Sequence, residues 1–321
     1  MNDKDLQMEH INCPMCGNGS FSPVASDTDI EYATSNRIFN FVQCENCSLL
    51  YLNPRPVAEE ASRIYPKTYH SVNINSPLHS DPNVDKTRER LDKNRCKDIL
   101  ALLRPGDTVL DIGCGDARML RLFKKFGPKD LGLVGIDINT DKEFIEQMKG
   151  EGITIINVYF EDFDMSRLNN VKVVIMNELI EHLWNPSLCL EKLSHDLKPG
   201  TYLSIETPDI DCISRRLFPK KYWGGYHFPR HLQLFSKKNL RYFLEKGGIE
   251  IVKQYSILAP SFWIITFRNI SGLNSYERSK SIFEFLNFKN VLVLGTFTII
   301  DFWLLALGLP TATQRIIAVK R

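Results

Sequence analysis

The segment 109–119 carries the residues best suited to bind a small ligand. An apolar strand runs into a turn that contains Gly113 and Gly115, and a helical pattern follows. Glycine accepts a positive φ at little cost and lets the backbone come close to a ligand. Asp111 precedes the first glycine, and Arg118 stands where a dinucleotide site would place a third glycine. The loop therefore predicts a nucleotide-type pocket that favours a cationic ligand.

A second acidic residue follows the next apolar run, 131–136. Asp137 comes directly after this run, where its carboxylate can accept hydrogen bonds from a ribose diol. Asp162 and Phe163 follow a third apolar run, and an acid beside an aromatic ring suits an adenine. The alternative interpretation is a glycine turn in an unrelated α/β protein.

Taken together, these residues resemble the class I S-adenosylmethionine-dependent methyltransferases, over roughly residues 99–259 and the last few residues. The resemblance implies an α/β fold with a Rossmann-like seven-stranded sheet, whose last strand, 314–320, is inserted antiparallel. It also implies S-adenosylmethionine as the cofactor. The predicted cofactor-binding residues are Asp111, Gly113, Gly115, Asp137, Ile138, Asp162, Phe163 and Asn177.

Strand and helix patterns alternate through the same region, which is typical of a parallel sheet with right-handed crossovers. The predicted strands are 109–112, 131–136, 153–158, 171–176, 201–206 and 249–258, and the predicted helices include 188–197 and 237–246. Pro186 suits the first turn of the former helix, and Ser236 suits the N-cap of the latter. Ligands of such sheets bind outside the carboxyl ends of the strands, where the polar clusters fall.

Two closely spaced cysteine pairs lie near the N-terminus, Cys13 with Cys16 and Cys44 with Cys47. Each C-x-x-C turn lets two thiolates reach one ion, and two turns complete the tetrahedral site of structural zinc. A redox C-x-x-C is the alternative, but it needs a thioredoxin-like context that the sequence lacks. We expect a zinc ribbon whose metal is structural and takes no part in the chemistry.

The domain prediction follows from these motifs and from the two prolines in 53–56, which disfavour helix and central strand. The predicted units are a zinc ribbon over 1–56, a helical linker and lid over 57–97, the core over 98–258, an apolar helical insertion over 259–310 and the last strand over 311–321. Within the linker, 59–65 and 84–103 are predicted helices, and 71–83 has the composition of a mobile lid.

Methyl transfer from a sulfonium to a hydroxyl or carbon acceptor needs positioning and a base. One group of bases is Glu178, Glu181 and His182, an E-x-x-E-H run. It resembles that of the ubiquinone-pathway O-methyltransferases, whose matching residues are associated with a divalent cation. The alternative is a helix cap with a buried histidine.

A second group of bases lies in 223–236, a loop with two histidines, an arginine and several aromatics. With the cysteine pairs, this loop resembles the zinc-containing sugar C-methyltransferases. The resemblance implies that His231 is the base and that Tyr69 is a candidate for the family's tyrosine. Arg230 stands where that family has a glutamate, and its long C-terminal domain has no counterpart here. His231, Tyr69 and His182 are the predicted catalytic residues.

The composition fits a globular enzyme: 43% of the 321 residues are hydrophobic, 24% are charged, and the formal net charge is +2. This near-neutral charge argues against nucleic acid as a partner. Residues 1–10 are polar and do not resemble a signal peptide. Eight cysteines, four of them in tight pairs, favour metal binding in a reducing, cytoplasmic compartment over a disulfide framework.

The segment 290–309 is almost wholly apolar except for Asp301. It could pack on the body or on a second copy, lie in a membrane interface, or span a bilayer, although a carboxylate in its middle makes a span costly. A helix in the interface would bury Phe297, Ile300, Trp303, Leu304 and Leu307 and turn Asp301 outward.

The sequence thus predicts methyl transfer from S-adenosylmethionine to a small-molecule acceptor, a sugar or glycolipid intermediate, with possible peripheral contact at the inner membrane face. Methylation of a phenolic or quinone precursor is the nearest alternative. A non-catalytic ribbon module with a ligand-sensing Rossmann domain is an alternative of another class.

Overall fold

The computed structural model of the chain describes residues 6–66, 69, 89, 92–93, 95–272, 285–288 and 290–321. Its strands are β1 (Met8–Glu9), β2 (Phe21–Asp27), β3 (Phe39–Cys44), β4 (Leu50–Leu52), β5 (Arg55–Pro56), β6 (Thr108–Ile112), β7 (Gly132–Ile136), β8 (Thr154–Ile156), β9 (Val171–Asn177), β10 (Tyr202–Pro208), β11 (Gln233–Leu234), β12 (Ile249–Ile257) and β13 (Thr313–Lys320). Its α-helices are α1 (Ala61–Ile64), α2 (Arg118–Phe126), α3 (Lys142–Gly150), α4 (Pro186–Asp196), α5 (Ile213–Leu217), α6 (Lys237–Lys246), α7 (Pro260–Ile270) and α8 (Val291–Ala306).

The large sheet has seven strands in the order β12-β13-β10-β9-β6-β7-β8. Strands β10, β9, β6, β7 and β8 are parallel, and β13 is inserted antiparallel between β10 and β12. Parallel strands covered by helices on both faces favour nearly continuous apolar runs, which β9 supplies at 173–176. In β10, Leu203 and Ile205 are buried beside the polar residues Ser204, Glu206 and Thr207. The predicted Rossmann-like sheet and its antiparallel last strand are confirmed.

Helices cover both faces of this sheet because alternate strand residues point to opposite sides. Val173 of β9 belongs to one hydrophobic cluster, together with Phe123 of α2 and Phe144 of α3. Val174 belongs to another cluster, which includes residues of α4 and α6. The carboxyl ends of the parallel strands lie at one edge, which is where ligands of such sheets bind.

The N-terminal ribbon packs directly on the core of the large sheet. Its sheet has four strands in the order β11-β4-β3-β2, so one strand comes from residues 233–234, far along the chain. Leu49 and Tyr51 of the ribbon are buried in the same cluster as Val174. The ribbon and the large sheet are therefore joined through a shared strand and a shared core.

Local signals position two of the helices as predicted. Pro186 is the first residue of α4, and the side chain of Asn185 accepts a hydrogen bond from the backbone N–H of Leu188. Ser236 caps α6 in a capping box with Asn239. Both helices begin where the sequence places them.

Other predicted boundaries differ from the structure. The strand expected over 153–158 is shorter, because β8 covers only Thr154–Ile156. The helix expected over 59–65 is a 3₁₀ turn, Ala58–Glu60, followed by α1. Of the helix expected over 84–103, the described residues 89, 92–93 and 95–100 are helical. The lid predicted over 71–83 lies outside the described residues.

Helix α8 packs one side on α7 and exposes the other. Phe297 stacks on the rings of Trp263 and Phe267, with centroids 6.1 and 5.7 Å away. Asp301 is buried and does not face outward, as the arrangement in a membrane interface would have required. Its carboxylate accepts hydrogen bonds from the Ala259 N–H (2.7 Å) and from Trp263 Nε1 (2.8 Å). No helix among the described residues has both the length and the apolar character needed to cross a bilayer.

Candidate functional site

The glycine loop after β6 has the backbone conformation that its sequence predicts. Gly113 and Gly115 have φ values of 73° and 51°, in the left-handed region that favours glycine. A Cβ at Gly113 would lie 3.0 Å from Leu179 Cδ1, so a side chain there would press on the segment that follows β9. The loop is thus held close to the segment that carries Glu181 and His182.

Asp137 lies at the end of β7 and faces this loop. Its Oδ2 accepts a hydrogen bond from the Gly115 N–H (2.9 Å), and its Oδ1 accepts one from the Asn139 N–H (2.8 Å). A carboxylate has about four lone-pair sites, so further acceptor capacity remains for a ribose diol. Asp137 therefore fixes the glycine loop, and its predicted contact with ribose stays a prediction.

Three carboxylates gather at this edge of the sheet. Burial, followed by the negative charges of Asp137 and Asp116, raises the pKa of Asp111 to about 8. A cation beside these groups would relieve both the repulsion and the burial of negative charge. The donor set therefore fits the cationic ligand that the sequence predicts.

The remaining predicted cofactor residues differ in their accessibility. Ile138 is 43% exposed beside Asp137 and offers an open apolar surface. Asn177, at the end of β9, has a buried Oδ1 without a hydrogen-bond partner among the described residues. Asp162 is exposed in the turn Phe160–Asp162, whereas Phe163 is buried in the core. The predicted contacts of these four residues with a cofactor are untested, and the burial of Phe163 gives no support to stacking on an adenine.

The four predicted metal ligands of the ribbon come together. Cys13 Sγ lies 3.5 Å from Cys47 Sγ, and Cys16 Sγ lies 3.6 Å from Cys44 Sγ. All four Sγ atoms lie within 4.8 Å of one another. Zn–S bonds of about 2.3 Å in a tetrahedron place sulfurs about 3.8 Å apart, so this set fits one zinc ion with no open position.

His182 and His231 form the centre of a second polar cluster, with ring centroids 4.7 Å apart. Nδ1 of His231 lies 2.8 Å from the carbonyl oxygen of Gly225, and Nδ1 of His182 lies 3.1 Å from that of Arg230. Tyr65 Oη lies 3.0 Å from the same Nδ1 of His182. Because a carbonyl oxygen only accepts, these two contacts favour the tautomer with the proton on Nδ1, in which Nε2 is the basic nitrogen.

A third histidine and a tyrosine adjoin this pair. The ring centroid of His227 lies 4.9 Å from that of His231, and His227 Nδ1 lies 2.8 Å from Glu31 Oε2. The ring of Tyr69 lies 5.9 Å from that of His227 and 5.0 Å from that of Tyr65. We call Tyr65, Tyr69, His182, His227 and His231 the histidine pocket. It contains all three predicted catalytic residues.

Burial fixes the protonation of Tyr69. The side chain is 5% exposed, and burial together with the neighbouring phenols raises the pKa of Tyr69 well above its ordinary value. At neutral pH Tyr69 is therefore a phenol, which can donate a hydrogen bond to an acceptor but is a poor base.

Glu181 adjoins His182 and His231 and is fully buried. Its Oε2 accepts a hydrogen bond from Thr207 Oγ1 (2.9 Å), and its Oε1 lies 4.0 Å from His231 Nε2. Oε1 has no hydrogen-bond partner among the described residues. Burial, and then the nearby carboxyl of Glu178, raise the pKa of Glu181 well above its ordinary value.

The ribbon supplies residues to the pocket that the sequence patterns did not reveal. Asp29 forms two hydrogen bonds with Arg230, at 3.1 and 2.6 Å, and both side chains are fully buried. The Arg230 guanidinium also lies 4.3 Å from the centre of the Tyr32 ring. We call residues 223–236 the histidine loop. The contact of Glu31 with His227 and that of Asp29 with Arg230 show that the connection between β2 and β3 positions this loop. These pairs join residues about two hundred positions apart, and no local motif signals them.

The backbone is strained in the segments 178–182 and 227–231, which supply the three histidines of the pocket. Glu178 and His227 have φ values of 50° and 41°, in a region that non-glycine residues seldom adopt. Leu232 N–H donates to the Glu181 carbonyl oxygen (2.7 Å), which ties the two segments together. Strain of this kind concentrates at ligand and active sites.

A family profile of methyltransferase domains matches residues 85–254, more than half of the chain. The chain belongs to this methyltransferase family. The matched range contains the glycine loop, the carboxylates at the strand ends and the histidine pocket apart from Tyr65 and Tyr69. The resemblance seen in the sequence is therefore confirmed at the level of the family.

Two curated relatives are each 26% identical to the chain. The match to (S)-tetrahydroprotoberberine N-methyltransferase of Eschscholzia californica spans 174 residues, 50% of this chain and 47% of the relative. The match to an uncharacterised 37.1 kDa transposon protein of Streptomyces fradiae spans 115 residues, 35% of this chain and 33% of the relative. The chain thus spans about half of the first relative and a third of the second.

Solved structures of low identity were also found. A SAM-dependent methyltransferase from Archaeoglobus fulgidus is 18% identical, with 72% of this chain and 94% of that chain covered and a TM-score of 0.43. A cyclopropane synthase from Mycobacterium tuberculosis is 15% identical, with 71% and 83% covered and a TM-score of 0.45.

Proposed function

We propose that the chain transfers the methyl group of S-adenosylmethionine to a small-molecule acceptor held in the histidine pocket. The observation that carries this proposal is the contact between Gly113 and Leu179. It places the predicted cofactor loop against the turn that bears Glu181 and His182. The cofactor edge of the sheet and the histidine pocket are therefore neighbours, as methyl transfer requires.

The residues at the sheet edge suit S-adenosylmethionine. The carboxylates near Asp111 favour its positive charges, Asp137 has acceptor capacity for the ribose, and Ile138 offers an apolar surface for the adenine. The unpartnered Oδ1 of Asn177 is a further acceptor for a donor of the ligand. When bound, the cofactor supplies an electrophilic methyl group, so the protein has mainly to orient the acceptor and to exclude water.

The acceptor is a molecule with a hydroxyl or an acidic carbon, whose proton must leave during the transfer. Nε2 is the basic atom of both His231 and His182, and we place the activation of the acceptor there. Tyr69, a buried phenol, donates a hydrogen bond that orients the same group. A sugar suits a pocket that alternates imidazoles, phenols and carboxylates, because it presents several hydroxyls to polar partners and apolar faces to rings.

The exposed side of α8 supports a lipid-linked sugar as the acceptor. Leu292, Phe302, Trp303 and Leu307 are 81, 58, 60 and 71% exposed and carry no charge between them. An apolar helix face with a tryptophan suits the interface of a membrane. We propose that this face binds the membrane peripherally, on the cytoplasmic side, where the ribbon cysteines stay reduced.

The test supplies methyl-labelled S-adenosylmethionine and separate sugar, lipid, phenol and RNA fractions of a cell extract. We expect label in the sugar or lipid fraction, with turnover lowered about 10²–10⁴-fold by His231→Ala and cofactor affinity nearly unchanged. His195→Ala is the matched control, because the His195 side chain is 90% exposed on α4. Label in the phenol fraction would favour the alternative acceptor, and a fully active His231→Ala variant would refute the role of His231.

A further inference from the structure

Two histidines of the histidine pocket and the adjacent Glu181 have the composition of a metal site. Glu181, His182 and His231 each offer one ligand atom, and these atoms lie within 4.8 Å of one another. Two imidazoles and one carboxylate bind divalent transition ions such as zinc and iron(II), and leave coordination positions open for a substrate. The third ligand comes from the histidine loop, so the set differs from Glu178, Glu181 and His182, the run singled out in the sequence.

The hydrogen bonds around the two imidazoles favour metal ligation. A ligating histidine almost always donates its other ring N–H to a carbonyl or carboxylate, which fixes the tautomer and the ring orientation. The carbonyl oxygens of Gly225 and Arg230 are placed to accept from Nδ1 of His231 and His182, at 2.8 and 3.1 Å. In both rings the basic nitrogen is therefore Nε2, the atom that a metal ion would bind.

The carboxylate gives an independent indication of a cation. Glu181 is fully buried, Thr207 Oγ1 donates to its Oε2, and its carboxyl interacts with that of Glu178. No cationic or hydroxyl donor among the described residues reaches hydrogen-bonding distance of its Oε1. The nearby Arg230 is already neutralised by Asp29 at 2.6 Å. Buried carboxylates normally pair with a cation, coordinate a metal or take up a proton. A divalent ion held by Glu181, His182 and His231 would satisfy this oxygen.

We propose that Glu181, His182 and His231 bind a divalent transition-metal ion, separate from the structural zinc of the ribbon. With the ion bound, Nε2 of His182 and His231 would be ligands and not bases. The ion would instead bind an acceptor hydroxyl and lower the pKa of that hydroxyl, so that its proton leaves to solvent. This last step rests on the proposed function, whereas binding of the ion does not.

The test measures the metal itself. Protein with its ribbon zinc retained is treated with EDTA, desalted and titrated with Co²⁺, which is followed by calorimetry and visible absorption. We expect one equivalent to bind with weak ligand-field bands and without thiolate charge transfer. In Glu181→Gln and His231→Ala the affinity falls more than about 100-fold, and in Tyr65→Phe, which removes a partner of His182, it falls about 10–100-fold.

The controls separate this site from the ribbon and from the reaction. His195→Ala keeps the second site, and ribbon zinc content shows that each variant is folded. Wild type that binds no Co²⁺ beyond the ribbon, or binding that persists unchanged in both Glu181→Gln and His231→Ala, overturns the proposal. If the protein binds no metal at this site but still transfers methyl groups in a reaction that depends on His231, the metal proposal fails and the proposed function stands. If the metal binds but no methyl transfer is found, the metal proposal stands and the proposed function fails.

Discussion

Asp29→Ala removes the carboxylate that balances the buried guanidinium of Arg230. Both side chains are fully buried and share two hydrogen bonds, at 3.1 and 2.6 Å. Loss of one partner of a buried ion pair leaves an uncompensated charge and costs about 3–5 kcal/mol. The Phe228 carbonyl oxygen, 3.0 Å from Arg230 Nη1, remains as a partner of the guanidinium. We therefore expect a loss near 3 kcal/mol, a large share of the roughly 5–15 kcal/mol of a typical domain.

The pH dependence of this loss follows from the sign of the pKa shift. Burial raises the pKa of Asp29, but the charge and hydrogen bonds of Arg230 outweigh it and hold the pKa of Asp29 below its ordinary value. A carboxyl with a lowered folded-state pKa contributes stability above its unfolded pKa of about 3.9, and this contribution fades as the pH falls through the folded-state pKa. The difference between wild type and variant is therefore constant from about pH 5 to 8 and shrinks only in strong acid.

The assay is urea denaturation followed by tryptophan fluorescence. Glu250→Ala is the control, because the Glu250–Arg321 pair is exposed and its loss should not change stability measurably. The double variant Asp29→Ala/Arg230→Met should recover part of the loss, since no buried charge remains. A loss below about 1 kcal/mol for Asp29→Ala, or a double variant as unstable as the sum of the single ones, would refute the reasoning.

Four further predictions concern the carboxylates at the edge of the large sheet, the cysteines of the ribbon and the exposed side of α8. Asp137→Ala is expected to weaken S-adenosylmethionine binding by about 1–3 kcal/mol, as a hydrogen-bonding carboxylate is lost; unchanged affinity in calorimetry would reject the ribose contact. Because the pKa of Asp111 is about 8 in the free protein, a cation that binds beside it near pH 6.5 should displace its proton; calorimetry in two buffers of different ionisation enthalpy that detects no proton release would contradict this. Cys44→Ser should lose the tightly bound zinc and destabilise the ribbon, and metal analysis that finds the zinc retained would count against the Cys₄ site. Wild type should float with anionic liposomes and Trp303→Glu/Leu307→Glu should not; a wild type that never floats would remove the membrane contact.

The sheet could be predicted because its signals are local. Apolar runs of strand length, the glycines after β6 and the residues that start α4 and α6 each act within a few positions of the chain. The cysteine pairs belong to the same class, since each C-x-x-C turn already brings two thiolates together. Three residues of the histidine pocket, His182, His231 and Tyr69, are also predicted from the sequence, the first two within the clusters 178–182 and 227–231. Tyr65 is not predicted as a site residue.

What the sequence could not give is the set of contacts between distant segments. His227 and Glu31 are 196 positions apart, and Arg230 and Asp29 are 201 apart. Their pairing depends on how the ribbon packs on the sheet, which no periodicity encodes. Asp301 shows the same limit. Its carboxylate is buried because it accepts hydrogen bonds from Ala259 and Trp263, and the helical pattern of 290–309 does not indicate these partners.

The strand β11 connects the ribbon, whose four cysteines would hold the proposed zinc, to the loop that carries His231. Because β4 pairs with residues 233–234, the same stretch of backbone that ends the histidine loop completes the ribbon sheet. Zinc depletion would release β4 and, with it, the segment that holds His231, although no thiolate touches the reacting atoms. The activity of the enzyme would then follow the supply of zinc in the cell, so a metal that performs no chemistry would nevertheless decide when the chemistry can occur.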